Sequence, residues 1–426
     1  MRAALGGLTT RGRSFLAAGV AAVLAAVALG ERDLLRVAVL LALLPLLGAW
    51  YVGRGRHHLR TRRELSPPRV AAGTPVRVRL HLRNAARLPV GTLLLAEGLP
   101  GALGAAPRLV LERLGPQAST DVAYTLEPAR RGRYPIGPLR ARVTDPFGLC
   151  RLDHTCAERE SLTVVPRTEP LPAGPLRGAH AGAGEARGRA VSVHGEDDTG
   201  TREYRHGDDL RRVHWRSTAR AGELMVRREE QPWENRALVL LDNRAPAHHD
   251  ADGPADTFEW AVGAAASVAA HLRRGGHRVR LVCAAADRDG LRHPALDHLV
   301  HDAASEQAAL DRLADVDLRH GEDLAPLVAQ ARRVSDQGLT VAVLGGCDTA
   351  AARRLAALGG PRGQAVALVA DPRDWGPGAA AVWGAGAALL RAAGWRVAAY
   401  RPDRSVAQVW AELAAVPGPT AVGGAR

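Results

Sequence analysis

Two apolar runs at the start of the chain limit what it can fold into. Residues 14–30 (SFLAAGVAAVLAAVALG) carry no charge, and residues 34–52 (LLRVAVLLALLPLLGAWYV) carry only Arg36. Each is about as long as a helix that crosses the hydrocarbon core of a bilayer. Arg36 lies close enough to an end to snorkel. Only Glu31, Arg32 and Asp33 separate the runs, which leaves room for a tight turn. The pattern predicts a transmembrane hairpin over 14–53. A signal peptide ahead of one span would share the basic start, but ALGERD is a poor cleavage site and the second run follows at once. Arg2, Arg11 and Arg13 precede the first run, and Arg54, Arg56, Arg60, Arg62 and Arg63 follow the second. Arginine on both outer flanks predicts cytoplasmic termini and a cytoplasmic body. Trp50 and Tyr51 fall where interfacial aromatics are expected. Residues 1–13 then read as a cytoplasmic tail and 54–65 as a basic juxtamembrane segment. Removal of the hairpin is expected to release a soluble body.

The pattern changes at residue 66. VRVRLHLRN (76–84) alternates apolar and basic residues with the period of a half-buried strand. TLLLAEGL, RLVLERL, DVAYTLE, LRARVTD and LTVVPR follow, punctuated by Gly, Pro and Asn at the spacing of a β-sandwich. Residues 66–168 are therefore expected to be a β-rich, sandwich-like domain. Residues 169–190, rich in Pro, Gly and Ala, read as a linker. From 236 to 418 strand-like and helix-like segments alternate, starting with RALVLLD and ending with SVAQVWAELAAV, before a tail over 419–426. Alternation of this kind predicts an α/β domain built on a doubly wound, mostly parallel sheet. A ligand of such a sheet sits at the carboxyl ends of its strands, so Asp242, Gly345, Gly346 and Asp371 fall on the candidate rim.

Composition removes several chemistries. The formal charge is +13, yet the chain has no lysine, so a P-loop lysine and a Schiff base are ruled out. Arginine richness accompanied by Ala and Gly richness is weak evidence for a polyanionic partner. Cys150, Cys156, Cys283 and Cys347 form no C-x-x-C pair and suggest reduced thiols rather than zinc or a disulfide framework.

Residues 191–235 contain the densest polar stretch, TREYRHGDDLRRVHWRSTARAGELMVRREEQ (201–231). Its eight arginines face six acids, a net +2, whereas a phosphate-binding groove is one-signed. Nucleic acid is not the expected partner. Asp208 or Asp209 can cap a helix from Leu210 that ends at Gly222, Asp208 and Arg212 have i,i+4 spacing, and Arg211 can stack on Trp215. The stretch reads as a self-neutralised structural network. An enzymatic alternative, a hydrolase, would use Asp208, Asp209 and His214 as metal ligands or as acid and base. Two other histidine groups, His248-His249-Asp250 and His298 with His301, Asp297 and Asp302, lack a complete ligand set and read as polar surface.

Tyr204 to Arg220 (Y-R-x-G-D-D-L-R-R-V-H-W-R-S-T-A-R) resembles the signature of a bacterial family, domain of unknown function 58. Tyr204, Gly207, Asp208, Asp209, Arg211, His214, Trp215, Ala219 and Arg220 carry it. Leu224, Val226, Arg227 and Glu230 continue it, and Arg131 to Leu149 resembles the family's upstream strands. The resemblance implies a von Willebrand factor A-like carboxy-terminal domain and a plasma-membrane protein. It also implies partners: a MoxR-type AAA+ ATPase and a transglutaminase-like membrane protein. It implies no established enzymatic activity.

An A-type domain would bind Mg²⁺ through D-x-S-x-S after its first strand. Here that loop is Asp242-Asn243-Arg244-Ala245-Pro246, with both serines missing and a cation at one ligand position. Gly345 and Gly346 stand where another aspartate is expected. The sequence thus points to a degenerate metal rim, no resident cofactor, and a non-enzymatic scaffold tethered to the bilayer through 14–52. The arginines after the second run are the place for contact with anionic lipid.

Overall fold

The structure, a computed structural model, describes residues 6–55, 59–87, 89–112, 114–173, 201–203, 213, 215–227, 236–248, 256–288, 291–334, 338–358, 364–375 and 377–415. They fall into two compact units, Met1–Arg167 with Leu310–Asp315, and Thr168–Ala309 with Val316–Arg426.

The apolar runs become helices α1 (Thr10–Leu29) and α2 (Arg32–Gly55), both long and apolar enough to cross a membrane. Thr9 caps α1 by accepting from the Gly12 amide, and Gly30 ends it at φ +68°, a conformation glycine adopts without strain. The helices pack closely at Gly19, where an added Cβ would lie 2.9 Å from the Ala42 nitrogen. Val20, Leu24, Val27, Val39, Leu40 and Leu47 point outward and are exposed.

Ten strands follow: β1 (Leu59–Ser66), β2 (Arg69–Ala71), β3 (Val76–Asn84), β4 (Leu93–Glu97), β5 (Arg108–Leu111), β6 (Ser119–Leu126), β7 (Gly132–Ile136), β8 (Leu139–Thr144), β9 (Arg151–Ala157) and β10 (Glu160–Val165). They form sheets of order β1-β3-β6, β2-β10-β7 and β5-β4-β8-β9. β3 buries alternate residues, as its sequence demands. Leu80 and Leu82 meet Leu93, Leu95, Leu139 and Val143 in one core, while Val76 and Val78 meet Val70, Ile136 and Leu162 in another.

Two expectations change here. β1 lies within the segment read as a basic juxtamembrane stretch, because one of its inward residues is Arg63. The hairpin is also not a detachable tether. Ala49 and Val52 belong to the same buried cluster as Leu80 and Leu93, and the Tyr51 hydroxyl donates to the Pro89 carbonyl at 3.2 Å. Removing the hairpin would open that core rather than release an intact body.

Arg63 is buried with both terminal guanidinium nitrogens engaged. Its guanidinium donates to Glu97 Oε1 at 2.6 Å and to the Glu158 carbonyl at 2.7 Å. The Tyr124 hydroxyl donates to Glu97 Oε2 at 2.9 Å. Burial, with the Glu97 charge, pushes the Tyr124 hydroxyl far above its ordinary pKa, so it remains a donor.

The second unit is built on a six-stranded sheet. Its strands are β13 (Arg236–Leu241), β14 (Arg278–Cys283), β17 (Leu296–Val300), β18 (Leu339–Leu344), β19 (Ala365–Ala370) and β20 (Arg396–Tyr400). Spatial order is β17-β14-β13-β18-β19-β20, parallel except for β17. The mostly parallel sheet was expected; the antiparallel edge strand β17 was not. Two short strands, β15 (Ala286–Arg288) and β16 (Leu291–His293), form a hairpin outside the sheet. The helices are α4 (Thr257–Arg274), α5 (Ala303–Ala314), α6 (Ala325–Val334), α7 (Thr349–Ala356), α8 (Pro377–Ala392) and α9 (Val406–Ala415). Leu327 and Val328 of α6, Leu355 of α7 and Leu390 of α8 cover one face of the sheet against Leu238, Leu240, Ala342 and Val369. α4 and α9 pack on the other. Asp348 caps α7 by accepting from the Ala351 amide, as its sequence predicts.

The start of the expected linker is part of this unit. The Glu169 amide donates to Ser267 Oγ at 2.9 Å, and Leu171 is buried.

Replacing Glu97 with leucine leaves the Arg63 charge buried without its carboxylate. The expected cost is about 3–5 kcal/mol of unfolding free energy. Denaturant unfolding of E97L should show that loss, and R63M/E97L should recover most of it.

Candidate functional site

In a doubly wound sheet the ligand crevice opens where the strand order reverses, outside the carboxyl ends. Here β13 pairs with β14 on one side and with β18 on the other, so the reversal lies between β13 and β18. The residues that follow these two strands are Asp242, Asn243 and Arg244, and Gly345 and Gly346. All five follow the carboxyl ends of these two neighbouring parallel strands.

Asp242 is fully buried and Arg244 is 7% exposed. Arg244 turns back on Asp242. Its Nε donates to Oδ1 at 3.0 Å and Nη2 to Oδ2 at 2.8 Å, a two-pronged pairing. Its backbone amide also donates to Oδ1, at 3.1 Å. The remaining guanidinium donors reach the Glu322 carbonyl at 3.1 Å and the Gly346 carbonyl at 3.2 Å. Burial opposes the guanidinium charge, but the Asp242 carboxylate outweighs it and holds Arg244 above its ordinary pKa. Asn243 points the other way and donates to the carbonyls of Ala284 (2.9 Å) and Asp317 (3.0 Å), fastening the end of β14.

The glycines after β18 have a steric reason. A Cβ on Gly345 would lie 2.0 Å from the Ala247 carbonyl oxygen. One on Gly346 would lie 2.1 Å from the Trp383 indole of α8. The switch point is therefore filled from inside, by Arg244 below and by Trp383 above Gly346.

A divalent ion needs several oxygen ligands at roughly 2.0–2.6 Å. Both carboxylate oxygens of Asp242 and the Gly346 carbonyl already accept hydrogen bonds from Arg244. The residues at this rim do not fit a divalent ion, because a tethered cation stands at the carboxylate. Among the described residues, no group of three His, Cys, Asp or Glu side chains is placed to hold a metal.

His248 completes the floor. It is buried, its Nε2 lies 2.8 Å from the Asp242 carbonyl, and its ring packs edge-on against Phe258. Burial lowers its pKa below 6.5, so the neutral ring is the stable form. Burial pushes the Cys347 thiol up to about 12, which leaves no thiolate to act as a nucleophile.

The sequence reading missed a second pair of the same design. After β19, Asp371 accepts from the Arg373 amide at 3.2 Å and from Arg373 Nε at 2.9 Å. Asp371 is buried and its partner is 76% exposed. Burial works against ionisation of Asp371, but hydrogen bonds from Arg373 keep its pKa below the ordinary value. The available signal was Asp-x-Arg recurring directly after two strands, as Asp242-Asn243-Arg244 and Asp371-Pro372-Arg373.

The signature segment is only partly described. Tyr204, Gly207, Asp208, Asp209, Arg211 and His214 lie outside the described residues, as do His249 and Asp250. Around them, β11 (Thr201–Glu203) pairs with β12 (Met225–Arg227), and Val213 bridges Val226. Helix α3 (Trp215–Ala221) carries Trp215, Ala219 and Arg220, all exposed. It stops at Gly222, which has φ +76°. The Met225 amide donates to Thr218 Oγ1 at 3.0 Å. In the other histidine group, Asp297 pairs with Arg280, and His298 lies 2.9 Å from the Ser305 carbonyl. Those side chains serve local packing.

The family model described as protein of unknown function DUF58 matches residues 200–375. That match supports the family resemblance carried by Tyr204–Arg220. No curated protein matches the chain. Among solved structures, a CARDB domain from Pyrococcus furiosus is 17% identical and matches 25% of this chain and 87% of that one, with a TM-score of 0.20. The alkylpurine DNA glycosylase AlkC of Pseudomonas fluorescens is 14% identical over 29% of this chain and 38% of that one, with a TM-score of 0.16. The sporulation control protein Spo0M of Bacillus subtilis is 11% identical over 25% of this chain and 49% of that one, also at 0.16. Likenesses at these scores carry no argument about this chain.

Two outcomes are expected at this rim. Arg244→Ala strands a buried carboxylate and should cost about 3–5 kcal/mol, while Mg²⁺ leaves the wild-type melting temperature unchanged. Calorimetric melts with Mg²⁺ and with chelator check both. For His248 the folded pKa lies below the unfolded value of 6.5, so the unfolded state binds the proton first. Its contribution is fully present above 6.5 and is lost as pH falls toward the lower folded value. Melting temperature should therefore fall less steeply below pH 6.5 in H248Q than in the wild type.

Proposed function

We propose that the protein is a membrane-tethered scaffold of the DUF58 type whose α/β domain is von Willebrand factor A-like and presents its carboxyl edge to protein partners. The observation that carries this reading is the filled switch point. Where such a sheet usually holds a ligand, Arg244 occupies the carboxylate and Trp383 covers Gly346. What faces outward there is a protein surface bearing exposed Arg373 and Val382. The helices α1 and α2 anchor the chain, and the arginines on their outer flanks favour a cytoplasmic body.

The partner class follows from the family resemblance: a MoxR-type AAA+ ATPase, with a transglutaminase-like membrane protein as a second component. The scaffold would hold a client complex while the ATPase remodels or matures it, and no reaction is assigned to the chain itself.

Tagged full-length protein, purified from its native membrane with and without ATP and examined by mass spectrometry, tests the proposal. Retention of a MoxR-type ATPase that depends on nucleotide is the expected result. Absence of any ATPase under both conditions would overturn it.

A further inference from the structure

We propose that the turn Asp145-Pro146-Phe147-Gly148-Leu149 is a membrane-contacting loop, with Phe147 seated in the interfacial layer of the bilayer beside the hairpin. The inference rests on reading α1 and α2 as membrane spans.

A lone exposed phenylalanine is ordinary on a soluble surface. What sets Phe147, 65% exposed, apart is its place along the helices. The carboxyl group of Asp145 lies against α2 at Gly48, where an added Cβ would be 3.3 Å from Cγ. Gly48 is seven residues before the end of α2 at Gly55, about 10 Å inside it at 1.5 Å per residue. On the other helix, a Cβ on Gly12 would lie 2.1 Å from the Leu149 oxygen. The turn thus reaches the level of Trp50, itself 52% exposed and within the apolar run. That is the depth at which interfacial aromatics sit. Arg11 and Arg13, on either side of Gly12, are exposed and suit headgroup phosphates.

A turn at this depth has to satisfy its own polar groups. Asp145 is nearly fully buried; Oδ1 accepts from the Cys150 amide at 2.5 Å and Oδ2 from the Phe147 amide at 3.1 Å. The Thr9 hydroxyl donates to the Gly148 carbonyl at 2.8 Å, and the Thr9 amide to the Leu149 carbonyl at 2.9 Å. Pro146 has no amide hydrogen to leave unmet. The turn ties up the Asp145 carboxylate and the Gly148 and Leu149 carbonyls, buries Leu149 and presents Phe147, the arrangement a lipid interface selects.

The test uses full-length protein in phosphatidylcholine/phosphatidylglycerol vesicles. An environment-sensitive fluorophore is attached to Phe147→Cys, to Trp50→Cys and to Ala105→Cys, with the labelled wild type as background. Ala105 is exposed and leaves the sheet from the Glu97 end of β4, opposite Leu139. The Asp145 turn leaves from the far end of β8, about 17 Å away along the strand. Only variants that melt like the wild type are compared. The expected result is a blue shift at positions 147 and 50, with loss of emission when lipids carry a nitroxide near the headgroup, and neither effect at 105. Quenching at 50 while 147 behaves like 105 would overturn the loop assignment and leave the hairpin standing. No quenching at either 50 or 147 would overturn the hairpin reading and this inference with it.

Discussion

A carboxylate placed at the end of a central parallel strand, out of reach of water, has to be met by a cation. Asp242 is in that position, and Arg244 meets it from two residues away. The edge of the sheet follows from this pairing. The chain bends back after β13, the buried Asn243 ties down the end of β14, and the guanidinium's spare donors hold the loops at Glu322 and Gly346. Ion-pair desolvation is costly, and here two-pronged geometry with additional carbonyl acceptors offsets it. A lysine could not serve in the same way, because the planar fork is what reaches four acceptor oxygens at once.

The first unit repeats the solution with other partners. Arg63, Glu97 and Tyr124 form a dry cluster between the sandwich sheets, with both charged side chains about 1% exposed. A chain whose only strong base is arginine uses it inside as well as outside. The high pI is therefore a poor guide to polyanion binding, since some of the charge is spent on internal carboxylates.

Local periodicity made much of the fold legible. The apolar runs, the alternation of Val76–Asn84, the parallel strands of the second unit and the caps at Asp348 and Gly222 could all be read from sequence. β1 was obscured because Arg63 occupies an inward position where an apolar residue is expected. β17 was obscured because Leu296–Val300 places Asp297 and His298 in a half-covered edge strand. At the candidate site the departure from a metal-binding loop was legible in Asn243, Arg244, Gly345 and Gly346. The two-pronged pairing of Arg244 with Asp242 was not. The Trp383 contact with Gly346 and the hydrogen bond from Thr9 to Leu149 join residues far apart in the chain, and no local pattern encodes them.

The clamp on α1 has a consequence for biosynthesis. Thr9 and Leu149 are separated by 140 positions, and Gly7 is held by the amide of Arg151. Both helices leave the ribosome long before the turn that fastens them. In the membrane-tethered reading proposed above, the anchor enters the bilayer with its amino end still loose, and translation of the later strands closes the joint. On that reading, insertion and folding of the β-rich unit are successive stages of one maturation.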